Sequence, residues 1–209
     1  MADRPKSLIQ KLKRKSSIFT PRKPKQHKPN QLIPNNFDKI EQIKLHLSKV
    51  VEKCEWYDQV LEFNQGTTDR RLASFERKVL AQKYKFPRAF VELYQKCDGC
   101  SEELFFTSLT EIKEQINVWR DLTNDGYFDD PKHNQHKNTD HRVNLKQWFH
   151  PGWIPISNNN GDHIIMDLAP TTSGRIGQIF QFSHETGFVR YLADNIIDYL
   201  LQIQSVEHF

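Results

Sequence analysis

The chain of 209 residues carries 30 Lys or Arg against 26 Asp or Glu, a net charge of +4, and its mean hydropathy is −0.73. This length allows one ordinary domain with an extension, and no stretch approaches the roughly 18 to 20 apolar residues of a membrane-spanning helix. No apolar run follows the N-terminal charges, so no secretory leader is expected.

The charge is unevenly spread. Residues 1–30 hold ten Lys or Arg and one acid, Asp3, a net +9, which leaves −5 for residues 31–209. Residues 1–34 mix Lys, Arg, Ser and Gln with Pro5, Pro21, Pro24, Pro29 and Pro34, a composition that buries too little apolar surface to offset the entropy of ordering. A disordered basic tail is predicted there, and Ser7 to Phe19 has a thin apolar stripe suited to a short amphipathic helix on an anionic surface. Residues 35–209 are read as a single domain.

Ile40, Ile43, Leu47, Val50 and Val51 recur at helical spacing after Asp38, a suitable N-cap, and predict a helix ending near Glu55. Asn64 to Asp69 reads as a turn with a candidate N-cap, followed by a helix from about Arg70 to Tyr84 carrying Leu72, Phe75, Val79 and Leu80. A third helix starts at Pro87, carries Phe90, Val91, Leu93 and Tyr94, and stops at Asp98-Gly99. Leu104, Phe105 and Phe106 predict a short strand, and Ile112, Ile116, Val118, Trp119 and Leu122 a fourth helix. Residues 123–142 are polar around Tyr127-Phe128 and read as a long exposed loop.

Short β segments follow at Trp153 to Ile156, His163 to Leu168, Gly177 to Phe182 and Phe188 to Tyr191, separated by turns at 158–161, through Pro170 and Gly174, and at 183–187. A helix from Asp194 to Ile203 closes the chain. The predicted class is α+β, an antiparallel meander with helices packed on one face.

The order of these elements, with the residues at their junctions, resembles the SUKH superfamily, which includes yeast cell-wall-synthesis regulators and bacterial immunity proteins. The resemblance covers about residues 67–204. It rests on Phe86-Pro87 before a helix ending at Asp98-Gly99, then Trp153-Ile154-Pro155-Ile156, Gly161-Asp162, Met166-Asp167-Leu168 with Pro170, Gly174, Gly177-Gln178-Ile179, His184-Glu185 and Leu192-Ala193. Asp98 stands where the pattern usually has Asn, Met166 precedes the aspartate, and the tail and first helix lie outside the resemblance. It implies structural roles for Pro87, Asp98, Gly99, Trp153, Pro155, Gly161 and Gly177, a binding scaffold without common catalytic residues, and in bacteria most often a cytoplasmic antidote to a toxin.

Cys97-Asp98-Gly99-Cys100 has the spacing of half a zinc site or of a redox pair, but only Cys54 remains to complete a site, and the motif follows a helix instead of opening one; it reads as a helix-terminating turn. An odd total of three cysteines, unable to close a disulfide framework, fits a reducing compartment, so a cytoplasmic location is expected. His133, His136, His141 and His150, with Asp129 and Asp130, match no ligand spacing and read as a solvated loop. Asp162, Asp167, His184 and Glu185 sit beside glycines at strand ends, where carboxylates cap turns or meet partners. Trp148 and Phe149 fit either a lid on the core or an exposed interface anchor.

No catalytic residue, metal, cofactor or small-molecule substrate is expected. The leading expectation is a protein-binding immunity protein that neutralises a toxin; if that toxin is a nuclease, its basic groove would complement the −5 domain. The alternative is a regulatory adaptor whose tail binds nucleic acid or anionic membrane while the domain binds a protein.

Overall fold

The computed structural model describes residues 37–54, 60–130 and 135–205. The chain divides into two units, Met1–Pro34 and Asn35–Phe209. The expected tail with its candidate helix lies outside the described residues, as do Trp56, Tyr57 and His133.

Helix α1 (Phe37–Glu52) buries Ile40, Ile43, Leu47, Val50 and Val51 on one face, the stripe that its 3.6-residue period dictates. The His46 ring reaches the Ile203 carbonyl at 2.7 Å, tying α1 to the far end of the chain. The helix that stood outside the family resemblance is thus part of the core.

Phe63–Gln65 is a strand, β1, and it pairs antiparallel with Cys97–Cys100, β2. The segment expected to be a helix-ending turn is therefore a fully buried strand, while Leu104 to Phe106, expected as a strand, is a turn. Phe105 and Phe106 have no exposed surface, so burial and not pairing explains their apolar character.

Helix α2 (Asp69–Val79) starts at Thr68, whose hydroxyl accepts from the Arg71 N–H. It stops short of the expected Tyr84 because the Glu76 carboxylate takes the Phe86 N–H at 3.0 Å and Lys85 Nζ at 2.7 Å, turning the chain back. Pro87 then precedes α3 (Arg88–Lys96) with its φ of −60° already set for helix entry. Phe75, Phe86, Phe90 and Tyr94 stack in a row with centroids 5.7, 4.4 and 4.2 Å apart. Helix α4 (Leu109–Asn124) opens with a capping box between Ser108 and Glu111, and a single 3-10 turn follows at Tyr127–Asp129.

Four strands, β3 (Trp153–Pro155), β4 (His163–Asp167), β5 (Gln178–Ser183) and β6 (Gly187–Ala193), form an antiparallel meander in the order β3-β4-β5-β6. Asn160 and Gly161, at φ 51° and 96°, make the β3-β4 hairpin turn of type I′. Helix α5 (Ile196–Gln202) is capped by Asn195, which accepts from the Asp198 N–H at 3.0 Å.

Successive side chains alternate between two cores, as a strand requires. Ile154, Ile164, Met166 and Ile179 join the helical core, whereas Trp153, Ile165, Phe180, Phe182 and Phe188 join an aromatic layer on the other side. The second face is covered by Trp119 of α4 and by Phe128, Val143, Leu145, Trp148 and Phe149. The expectation of a wholly exposed loop over 123–142 is corrected here: α4 continues to Asn124, Phe128 packs on the aromatic layer, and His136 stacks on Trp148 at 5.1 Å. No helix among the described residues is long and apolar enough to cross a membrane.

Candidate functional site

The second half of the residue pattern meets at one end of the sheet. Trp153, Asp167 and Gln178 lie opposite one another on β3, β4 and β5. The Asp167 carboxylate accepts from the Ala169 N–H at 2.8 Å and from Gln178 Nε2 at 2.9 Å. Gln178 Nε2 also donates to the Arg142 carbonyl, and Gln178 Oε1 takes the Arg175 N–H. One amide and one carboxylate thus fix the 168–178 turn and the 142 segment together. Asp167 is fully enclosed, and burial pushes its carboxyl up to about 6 against the opposing pull of these donors. The expected role of Asp167 at a partner surface is corrected: the side chain is an interior anchor.

Gly177, at φ 90°, presses against Pro87, so that any Cβ there would sit 2.8 Å from the proline ring. The two halves of the pattern touch at this point. In the first half, Asp98 Oδ1 accepts the Leu109 N–H at 2.8 Å, Oδ2 lies 3.3 Å from Arg71, and the Asp98 carbonyl takes Asn64 Nδ2. Asp98 therefore supplies a negative charge to the start of α4, where the helix dipole favours one. Pro155, within the edge strand β3, stands where a missing N–H is tolerated.

The surface candidates are Asp162, His184 and Glu185. The Asp162 carboxylate accepts both the His184 backbone N–H at 2.9 Å and its ring Nδ1 at 2.8 Å, locking the β3-β4 and β5-β6 turns side by side. Glu185 is exposed next to this pair, its N–H on Ser183 Oγ. Trp148 is buried and Phe149 half-buried against Trp119, ring centroids 4.0 Å apart. Trp148 is thus the lid of the aromatic layer, and Phe149 keeps one side toward solvent.

The histidines serve this layer as neutral rings. His136 Nδ1 accepts the Phe188 N–H at 3.0 Å, which leaves Nε2 to donate to the Gln147 carbonyl. His163 Nδ1 donates to the Ser157 carbonyl at 2.8 Å, and Nε2 is buried without a partner. His150 Nδ1 accepts the Gly152 N–H. Burial holds all three rings below the ordinary 6.5, with Lys83 adding to the effect on His150. The stability gained by keeping them neutral is complete above pH 6.5 and is lost as pH falls through that value, because the unfolded chain takes up the protons first. The urea midpoint is expected to drop from pH 7.5 to 6. His136→Gln, whose amide reproduces both hydrogen bonds, should flatten part of that drop; an unchanged pH profile would show that His136 carries none of it.

The thiols of Cys97 and Cys100 donate weakly to the Leu93 and Phe106 carbonyls, and burial pushes both up to about 12, which makes them poor nucleophiles. Among the described residues no group of three or more His, Cys, Asp or Glu is placed to hold a metal ion. A depression of about 460 Å³ separates α5 from β4, β5 and β6, and a second of about 330 Å³ lies between α2, α4 and the segment before β3. Sequence reasoning pointed to neither, since each draws its walls from elements far apart in the chain.

A glycine-cornered antiparallel meander backed by helices, with its titratable groups spent on holding turns, is an α+β scaffold of SUKH type. The chain belongs to the SMI1 / KNR4 family (SUKH-1), whose family model matches residues 66–202. It is 43% identical over 55 residues to a KNR4/SMI1 homolog of Eremothecium gossypii, a stretch covering 26% of this chain and 8% of that protein. It is 42% identical over 59 residues to the cell wall assembly regulator SMI1 of Saccharomyces cerevisiae, covering 28% and 12%. With a KNR4/SMI1 homolog of Yarrowia lipolytica it shares 46% identity over 39 residues, 18% and 6%. The matched stretches span at most 12% of these curated relatives.

Proposed function

We propose that this chain is a regulatory protein-binding module that acts by contact and not by catalysis. The observation that carries the reading is the family match over residues 66–202, with a yeast relative named as a cell wall assembly regulator. The chemistry of the site supports it: Asp98, Asp140 and Asp167 are turned inward onto backbone N–H groups, whereas Asp162, which also holds the His184 N–H, stays partly exposed with His184 and Glu185 at the turn tips, where they can act as contact groups. A cytoplasmic location is part of the proposal, and the three free cysteines support it.

The test is affinity capture of full-length protein from its native cell, beside versions lacking residues 1–34 and carrying Asp162→Ala with His184→Ala. A stoichiometric protein partner is expected with the full-length and shortened chains. The double substitution should weaken capture at least fivefold, while the loss of the Asp162 bonds to His184 lowers stability by only about 1 kcal/mol, because both side chains are partly exposed. Retention of nucleic acid or anionic lipid alone, lost with residues 1–34 and at high salt, would transfer the activity to the basic segment.

A second reading, neutralisation of a toxin, is favoured by one observation, the net −5 of residues 31–209, which suits a basic nuclease groove. A captured partner with nuclease activity that this chain abolishes would decide for it.

A further inference from the structure

The groove between α2, α4 and the segment before β3 holds about 330 Å³. Its floor is apolar, with Val79, Ile116, Phe149 and Pro151 among the lining residues. The Phe149 ring is braced edge-on by Trp119 at 4.0 Å, so the floor is already formed. Lys78 and Arg120 line the same groove and are exposed.

Some cations of this region are held in ion pairs and, among the described residues, these two are not. Arg71 is matched by Asp98, Lys85 by Glu76 and Arg88 by Glu92. Among the described residues Lys78 has no carboxylate partner, and Arg120 hydrogen-bonds only to Asn117 Oδ1, at 3.4 Å. Residues 31–209 carry a net −5, so two unmatched cations over one apolar floor mark a local reversal of charge. Such a site complements a ligand with an apolar body and carboxylates beside it. Nucleic acid fits less well, because its sites need a track of cations and open stacking faces, whereas this floor is mainly aliphatic.

We propose that this groove docks a short acidic segment of a protein partner, with one apolar side chain on the Val79, Ile116 and Phe149 floor and flanking carboxylates against Lys78 and Arg120. The proposal rests on the protein-binding reading and gives it a partner chemistry. Docking by a preformed apolar pocket with a charged rim is the arrangement in which a few anchors carry most of the affinity.

The test is an NMR titration of the isotopically labelled full-length chain with the peptide acetyl-Glu-Leu-Asp-Phe-Glu-amide and with its neutral counterpart, acetyl-Gln-Leu-Asn-Phe-Gln-amide. Saturable shifts are expected at the amides of Lys78, Val79, Leu80 and Phe149, with the neutral peptide binding at least tenfold more weakly. Lys78→Glu with Arg120→Glu should weaken the acidic peptide at least tenfold, and the same urea midpoint for both proteins would show that the fold is intact. Phe149→Ala provides a second, uncharged variant with a similar loss. Equal binding of the two peptides, unchanged binding by the charge-reversed protein, or shifts in this groove from an oligothymidylate but not from the peptide would each overturn the proposal. If the charge-reversed protein still captures the partner recovered by the native chain, the groove inference falls and the protein-binding reading stands. If the native chain captures no protein while the peptide saturates the groove, that reading falls and the groove remains.

Discussion

Replacing Asp167 by alanine is expected to cost about 2–4 kcal/mol at pH 7, because it leaves the Ala169 N–H and the Gln178 amide buried without their acceptor. The Trp153 indole N–H, which has no well-formed hydrogen bond of its own, lies near the same carboxyl and loses its favourable charge as well. Asp167→Asn should cost less, since one carbonyl oxygen still serves Ala169. Its signature is the pH dependence. Asp167 titrates at about 6 when folded, against an ordinary 3.8, so the folded state takes up this proton first and gains stability as pH falls from 6 toward 3.8. That gain opposes the loss from the neutral histidines. The asparagine variant should therefore lose stability more steeply below pH 6 than the native protein, as read by urea unfolding with tryptophan fluorescence. Parallel profiles for the two proteins would show that Asp167 does not titrate in this range.

Gly99→Ala carries the second large effect, a loss of about 3 kcal/mol or more. Gly99 sits at φ 87°, and a Cβ there would lie 2.6 Å from the Ser108 nitrogen and 2.8 Å from the Thr107 carbonyl carbon, both backbone atoms that cannot rotate away. Relief would require moving the start of α4 from Asp98, breaking the 2.8 Å bond to the Leu109 N–H. Gly126→Ala is the control. Gly126 has a similar φ of 73°, but the new methyl would meet only the mobile Asp129 side chain, at 3.0 Å. Its loss should stay near 1 kcal/mol, the cost of the backbone conformation alone. Equal losses at the two positions would remove the steric part of the argument.

The fold was largely legible where apolar spacing is strong. The stripes of α1 and α3 and the four meander segments announced themselves through periodicity and turn residues. β2 did not, because Cys-Asp-Gly-Cys has no strand pattern and its partner β1 lies more than thirty residues earlier. The cover over the aromatic layer was missed for a related reason: Phe128, Val143, Leu145, Trp148 and Phe149 are sparse and follow no period. At the site, the position of Asp167 at a strand end beside turn residues suggests a carboxylate available to partners. Strand parity held the missing signal, since Asp167 is two residues from Ile165 and shares its inward face. Lys78 and Arg120 were invisible as a pair because they stand on different helices, and only the packing of α2 beside α4 brings them to one groove.

The chain just beyond β3 is covered on its outer side by the turn that carries Phe105 and Phe106. The Thr107 N–H donates to the Ile156 carbonyl at 2.8 Å, and the Asn158 N–H to the Glu103 carbonyl at 3.1 Å, while Phe105 and Phe106 pin the intervening turn into the core. An open edge would offer its unpaired backbone to the next copy and seed fibre growth. Here a non-strand segment answers the groups just past the end of β3, which shortens the run of backbone that this side of the sheet could offer to another chain.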